Sequence, residues 1–198
     1  MKLSSGKKLK SPNGIVARPT TSRVRAAIAN KLKTTLFNAR WLDLFCGTGV
    51  MSCEALEQGA NSIVAVDRNH HLIQTAQTNL EMVQANISHS ASIAIHQAEV
   101  LNWLEKQVEK IKAFDLIYMD PPYKSKIYDV TLDRIASNRW LNPNGLLIVE
   151  CAKSNFPKEN NDWKLVEQCS YGSTTILYLH LKEHCHDGID SRQQQRVR

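Results

Sequence analysis

At 198 residues, 42% hydrophobic and 22% charged, the chain is long enough for one well-buried domain and too short for two of ordinary size. No segment has the length and apolarity of a membrane span, and the lysine-bearing start lacks the apolar core of a secretion signal, so a soluble, unsecreted protein with no membrane partner is expected. Net charge is +6, but the first 42 residues carry ten basic side chains and no acidic one, leaving 15 basic against 19 acidic residues in the remainder. A basic arm on a mildly acidic body is the footprint of a polyanion binder. A solvated tail or an organelle transit peptide would share that charge, and the patterned helix inside the same stretch argues against the second. The five cysteines (46, 53, 151, 169 and 185) are odd in number and form no C-x-x-C pair. They point to the reducing cytoplasm and to packing thiols.

Residues 1–17 mix Ser, Gly, Pro and Asn with lysines and read as a flexible or loosely strand-like basic arm. Pro19, Thr20, Thr21 and Ser22 open a helix whose stripe is Val24, Ala27, Ile28, Lys31 and Leu32. Arg23 and Arg25 fall off that stripe, toward solvent, phosphate or a cofactor carboxylate. From Arg40 strand and helix alternate, which specifies a parallel sheet. Strands are predicted at 41–45, 62–66, 92–96, 114–119 and 145–150, and helices at 50–57, 69–84, 100–111 and 128–137. Gly59 is the left-handed stop of the 50–57 helix, and the period-two pattern at 92–96 places that strand near a sheet edge. Two last strands, 164–169 and 174–181, joined at Tyr171-Gly172-Ser173, make a hairpin that ends the sheet antiparallel. The domain is thus expected over 18–181, with a polar, disordered tail at 182–198.

Two strand ends carry the chemistry. The first strand runs into Asp43-Leu44-Phe45-Cys46-Gly47-Thr48-Gly49, a glycine turn that lets a ligand approach the backbone. Asp67 closes the second strand, 18 residues past Gly49, near the interval at which a carboxylate meets ribose hydroxyls. Glu99 closes the third, where it could accept from an adenine amine. Asp43 at the mouth of the turn would repel a pyrophosphate and attract an ammonium or sulfonium, which favours S-adenosylmethionine (SAM) over NAD. A structural Asp capping the turn's N–H groups is compatible with this. Ser52, where a dinucleotide fingerprint has its third glycine, also disfavours an NAD-dependent oxidoreductase. The fourth strand ends in Asp120-Pro121-Pro122-Tyr123: a carboxylate, two residues without N–H donors, and an aromatic ring. Such a cluster of acceptors beside a π-face suits an exocyclic amine of a nucleobase. A non-catalytic module that only holds SAM or RNA would have no need of that carboxylate and ring. His70-His71 reads as a solvated helix start. The group His180, His184, Cys185 and His186 lacks a second paired set, so no metal site is expected.

These ordered motifs resemble those of class I SAM-dependent methyltransferases acting on nucleobase amino groups. More narrowly, Arg18-Pro19-Thr20-Thr21-Ser22-Arg23-Val24-Arg25, then 43–49 with Glu54-Ala55-Leu56 and Gly59-Ala60, resembles the bacterial 16S rRNA guanine-N2 methyltransferase family, RsmD, over about residues 6–181. Ser22, Ala26, Cys46 and Glu99 stand where that family usually has Asp, Glu, Ala and Asp. The resemblance implies a Rossmann-like, mostly parallel seven-stranded α/β sheet with a C-terminal antiparallel hairpin and helices on both faces. It implies methyl transfer from SAM, leaving S-adenosylhomocysteine (SAH), to a guanine N2 of small-subunit rRNA, free or in the ribosomal subunit, by a cytoplasmic monomer. Adenine-N6 transfer on DNA or RNA uses nearly the same Asp-Pro-Pro-Tyr loop and is the alternative. The implied catalytic residues are Asp120, Pro121, Pro122 and Tyr123. The implied cofactor contacts are Arg18, Thr20, Asp43, Phe45, Gly47, Thr48, Gly49, Asp67, Arg68, Glu99 and Val100. Substrate RNA is expected at Lys7, Lys8, Lys10, Arg23, Arg25, Lys124 and Lys126.

Overall fold

Near-continuous apolar runs become strands buried on both faces, and the computed structural model, which describes residues 1–12, 21–122, 127–154 and 161–182, shows this three times over. The runs are β1 (Arg40–Leu44), β2 (Ser62–Asp67) and β4 (Phe114–Met119). They lie in a seven-stranded sheet of order β3-β2-β1-β4-β5-β7-β6, with β3 (Ser92–Gln97) and β5 (Leu141–Ala152) completing the parallel part. β6 (Trp163–Tyr171) and β7 (Thr174–Leu181) add the antiparallel hairpin. β3 is an edge strand, as its alternating sequence predicts.

Alternation sorts the strand side chains onto two cores. Trp41, Ile63, Leu116, Tyr118, Ile148 and Ile176 face α1 (Ser22–Leu36), α2 (Val50–Glu57) and α3 (His70–Gln84). Leu42, Leu44, Val64, Ile117, Met119, Leu147 and Val149 face α4 (Val100–Lys106) and α5 (Ile127–Ser137). The helix starts follow side-chain capping: Thr21 Oγ1 accepts from Val24 N, Asn69 Oδ1 from His71 N and Leu72 N, and Glu99 from Asn102 N. Gly59, with φ +103°, ends α2 as expected.

Two expectations are corrected, and a third, the flexible or loosely strand-like arm, is resolved in favour of the strand-like form over its described residues. The helix predicted over 100–111 stops at Lys106. The chain then turns, with the amides of Lys110 and Ile111 both donating to the Gln107 carbonyl, and Val108 and Ile111 still reach the second core. The fifth strand begins at Leu141 because the pairing shifts between Phe114 and Leu116, which accommodates three extra residues, Pro143, Asn144 and Gly145, on β5. The first 12 residues are a docked hairpin. Leu3 N donates to Lys7 O and Leu9 N to Met1 O, while Leu3 and Leu9, 4% and 6% exposed, enter the first core. Two apolar side chains spaced among lysines anchor the arm.

Candidate active site

The strand order places β1 and β4 side by side while their following helices leave in opposite directions, α2 toward β2 and α5 toward β5. In open α/β sheets a crevice forms at the carboxyl ends of such a pair. Leu44 is paired with Met119, and the Asp120 amide donates to the Leu44 carbonyl at 3.5 Å. The glycine turn and the Asp-Pro-Pro loop therefore start from adjacent points.

The turn is bent by positive φ values at Phe45 (+63°), Gly47 (+55°) and Gly49 (+71°). Left-handed backbone is costly for Phe45, at roughly 1–2 kcal/mol, and free for the glycines. The two glycines differ in what surrounds them. A Cβ on Gly49 would stand 2.9 Å from Ala76 Cβ, so α3 packs directly against the turn, whereas a Cβ on Gly47 would meet nothing within 4 Å. The Gly47 face is open, and its N–H donates to Asp67 Oδ2 at 2.9 Å. The other Asp67 oxygen accepts from Asn69 N at 2.8 Å.

Asp43 corrects its expected place at the mouth of the turn, for it is fully buried beneath it. Its Oδ2 accepts from Ser52 N at 3.1 Å and Ser52 Oγ at 2.6 Å, so Ser52 is the partner of this carboxylate and fills the position of the missing third glycine. Asp43 Oδ1 has no hydrogen-bond partner. Burial pushes the carboxyl up to about 7, against the lowering effect of the Ser52 bonds and with a further rise from Asp67. An orphaned acceptor under a glycine turn whose outer face is open fits a ligand that brings an ammonium and no phosphate. The residues present thus suit SAM.

At the second strand end, Asp120 is partly buried, Pro121 buried and Pro122 exposed. The Tyr128 hydroxyl of α5 lies 3.3 Å from the Pro121 carbonyl and 3.2 Å from the Glu150 carbonyl and shares its one proton between them. Below, the Tyr118 hydroxyl donates to Glu150 Oε2 at 2.5 Å, and the Tyr118 ring stacks on Trp41. Burial, then the Glu150 and Asp120 carboxylates, push the neighbouring Cys151 thiol up to about 11, so it stays protonated and does no nucleophilic work. Cys46 and Cys53 are buried thiols raised mainly by desolvation. The described cysteines are free.

A model of the family described as Conserved hypothetical protein 95 matches residues 3–180. The chain belongs to that family. YlbH of Bacillus subtilis, named as a candidate rRNA methyltransferase, is 30% identical over 86% of this chain and 91% of its own. Ribosomal RNA small subunit methyltransferase D of Haemophilus influenzae is 27% identical over 84% of each. The solved structure of yhhF of Escherichia coli, named as a candidate methyltransferase, superimposes with a TM-score of 0.74 at 24% identity, covering 89% of this chain and 93% of that one. SMU.776, solved in complex with SAH, gives a TM-score of 0.64 at 16% identity over 79% of this chain and 49% of that one. The RsmD-like resemblance and the class I methyltransferase fold are borne out.

In this member of the family, the structure brings Phe45, Gly47, Thr48, Gly49, Asp67 and Asp120 to neighbouring strand ends. Glu99 spends one oxygen on capping α4 (Oε2 to Asn102 N, 2.9 Å), Val100 is buried in the second core, and Arg68 is exposed. Arg18, Thr20, Tyr123, Lys124 and Lys126 lie outside the described residues, as do His184, Cys185 and His186. Lys8, Lys10 and Arg23 are exposed, and Lys7 pairs with Glu57 at 3.3 Å.

Arg25 is the second correction. It is 4% exposed, paired with Glu54 (Nε to Oε1, 3.6 Å) and bonded to the Lys2 carbonyl. Glu54 also accepts from Ser4 N and Ser4 Oγ at 2.9 and 3.0 Å. The off-stripe side of α1 is the dock for the hairpin, so Arg25 and Glu54 fasten that hairpin, and Arg25 is not part of the exposed basic surface. Sequence reasoning missed Asn79 and Tyr128 as well. A fully buried Asn on the apolar face of α3, three residues after Ala76, was the available signal for the first.

Proposed function

We propose that this protein transfers a methyl group from SAM to the exocyclic N2 amine of a guanine in 16S rRNA, acting as a monomer on free RNA or on the small subunit. The carrying observation is the adjacency of the two strand ends, Leu44 beside Met119 with the Asp120 amide on the Leu44 carbonyl. SAM, when bound, supplies an electrophilic methyl. This chain's residues do the remainder. The open face at Gly47 admits the cofactor, Asp67 stands at the ribose position, and Asp43 offers its unpartnered oxygen to the ammonium. At the other strand end the Asp120 carboxylate and the Pro121 carbonyl accept from the guanine amine. Its lone pair, otherwise delocalised into the ring, is then aimed across the crevice, and Asp120 takes the released proton. Alignment and electrostatics supply most of the acceleration. Tyr123 stacks on the base, worth about 1–3 kcal/mol. Exposed Lys8, Lys10 and Arg23 receive RNA phosphates, and Lys124 and Lys126, which follow Tyr123 in the sequence, add to that contact.

The small-subunit relatives favour rRNA guanine over DNA or RNA adenine, whose N6 amine would meet the same acceptors. Incubation with labelled SAM and undermethylated small subunits or 16S rRNA, followed by nucleoside mass spectrometry, should yield N2-methylguanosine. N6-methyladenosine in its place would overturn the substrate assignment.

A further inference from the structure

Between the docked hairpin and the glycine turn sits one polar side chain. Asn79 of α3 is fully buried. Its Oδ1 accepts from Lys10 N at 2.8 Å, and its Nδ2 donates to Lys10 O at 3.2 Å and to Thr48 O at 3.1 Å. An amide has two N–H groups and one carbonyl, so each donor has one acceptor here and the orientation of the side chain is fully determined. Ala76, one helical turn earlier on the same face, is the residue against which Gly49 packs. α3 therefore grips the turn at two successive residues, by shape at Gly49 and by hydrogen bond at Thr48, and reaches the hairpin from the second of them.

A buried Asn is commonly no more than a satisfied structural group. What sets this one apart is what it joins. One partner is the main chain of Lys10, whose side chain is exposed on the basic hairpin, and the other is a carbonyl of the turn that holds the cofactor. A leucine of similar volume would fill the space and strand the Lys10 N–H and two carbonyls without partners.

We propose that Asn79 is a positioning residue that locks the basic hairpin to the cofactor turn, so that cofactor binding and RNA binding strengthen one another. The RNA half of this rests on the function proposed above. Ordering of the turn by the cofactor fixes the Thr48 carbonyl, which fixes the Asn79 amide, which fixes the Lys10 backbone. By linkage the effect is reciprocal, and couplings of this kind amount to about 5- to 150-fold.

Two measurements test it. Hydrogen exchange of the Lys10 amide in the unaltered protein, with and without saturating SAH, should slow by about fivefold or more on SAH addition. An unchanged rate overturns the lock. Affinity for undermethylated 16S rRNA should rise by a similar factor, about fivefold or more, when SAH is present. Asn79→Asp keeps an acceptor for Lys10 N but turns oxygen toward the Thr48 and Lys10 carbonyls, so the SAH-dependent factor should fall to about one. Persistence of the unaltered factor in a folded N79D protein overturns the proposal, and should that variant not fold, the exchange measurement decides alone. Absence of any RNA binding by the unaltered protein would overturn the RNA half together with the proposed function, whereas failure of the exchange response strikes the lock itself.

Discussion

The two halves of the crevice start from adjacent strands and present different chemistry. On the β1 side, Gly47 N donates to Asp67, Gly49 N to the Cys46 carbonyl, Thr48 O accepts from Asn79, and one oxygen of the Asp43 carboxylate accepts from Ser52 while the other has no partner. On the β4 side, the Asp120 amide donates to the Leu44 carbonyl and the Pro121 carbonyl accepts from the hydroxyl of Tyr128. The contrast has a physical reading. The glycine turn leaves an open face at Gly47 for a ligand, whereas the loop sets a carboxylate and a carbonyl acceptor beside two prolines that carry no N–H. The division predicts that damage to the turn should register in cofactor affinity and stability, and damage to the loop in turnover.

The largest expected effect lies on the loop. Asp120→Ala should lower kcat by at least about a thousandfold, in line with the loss of a group acting on the transition state. SAH affinity should stay within about twofold, since this residue bounds the other half of the crevice. Calorimetric SAH titration beside single-turnover methylation checks both, and a variant that retains turnover would remove Asp120 from the mechanism.

The glycine pair sharpens the comparison within the turn. Gly49→Ala adds a methyl group 2.9 Å from Ala76 Cβ at a left-handed residue, so it should destabilise the fold by roughly 2–4 kcal/mol. Gly47→Ala meets no protein atom within 4 Å and should incur only the left-handed cost, about 1–2 kcal/mol, yet weaken SAH binding more than tenfold under the proposal that the open face admits the cofactor. Thermal melts with and without SAH separate the two. Equal losses of affinity and stability in both variants would break the assignment of the Gly47 face.

The sequence foretold most of the skeleton and less of the site, and particular residues show why. Near-continuous apolar runs and glycine stops marked β1, β2, β4 and α2, because those elements are governed by local pattern and burial on both faces. Asp67 and Asp120 were legible as strand-end carboxylates, whereas Asp43 reads as lying at the mouth of the turn and is buried beneath it, its carboxylate held by Ser52. Arg25 was misread because its environment is set by a hairpin 20 residues upstream, and no periodicity within α1 reveals what packs on its polar side. Asn79 and Tyr128 escaped for a similar reason: each matters through a backbone carbonyl of another element, which leaves no trace in side-chain spacing.

Tyr128 offers a milder way to loosen the loop. Tyr128→Phe removes one hydroxyl shared between two carbonyls, for about 1 kcal/mol of stability. If that hydroxyl holds the Pro121 carbonyl in register with the incoming amine, kcat should drop about tenfold while KM for SAM stays within about twofold. A purely structural role would leave kcat unchanged at temperatures well below the melt. A change confined to KM for SAM would place the residue on the wrong side of the crevice.

The smallest effect reads the charge beneath the turn. In the cofactor-free protein, burial raises the Asp43 carboxyl from its usual acidic range to about 7. Between those limits the folded chain retains a proton that the unfolded chain has lost. Stability from this group is therefore fully present at low pH and falls as pH rises toward neutrality. Removing that carboxylate with Asp43→Asn, which keeps an acceptor for Ser52, should flatten this part of the stability profile between about pH 4 and 7. Cofactor binding should act in the opposite sense, because an ammonium beside Oδ1 favours the ionised carboxylate and expels the proton. SAH affinity should then climb several-fold from about pH 6 to 8 in the unaltered protein and stay level across the same window in D43N. A pH-independent affinity in the unaltered protein would mean that Oδ1 meets a neutral partner in the complex. Asp43 would then be a cap for α2 alone, and the ammonium would have to be held from elsewhere in the crevice.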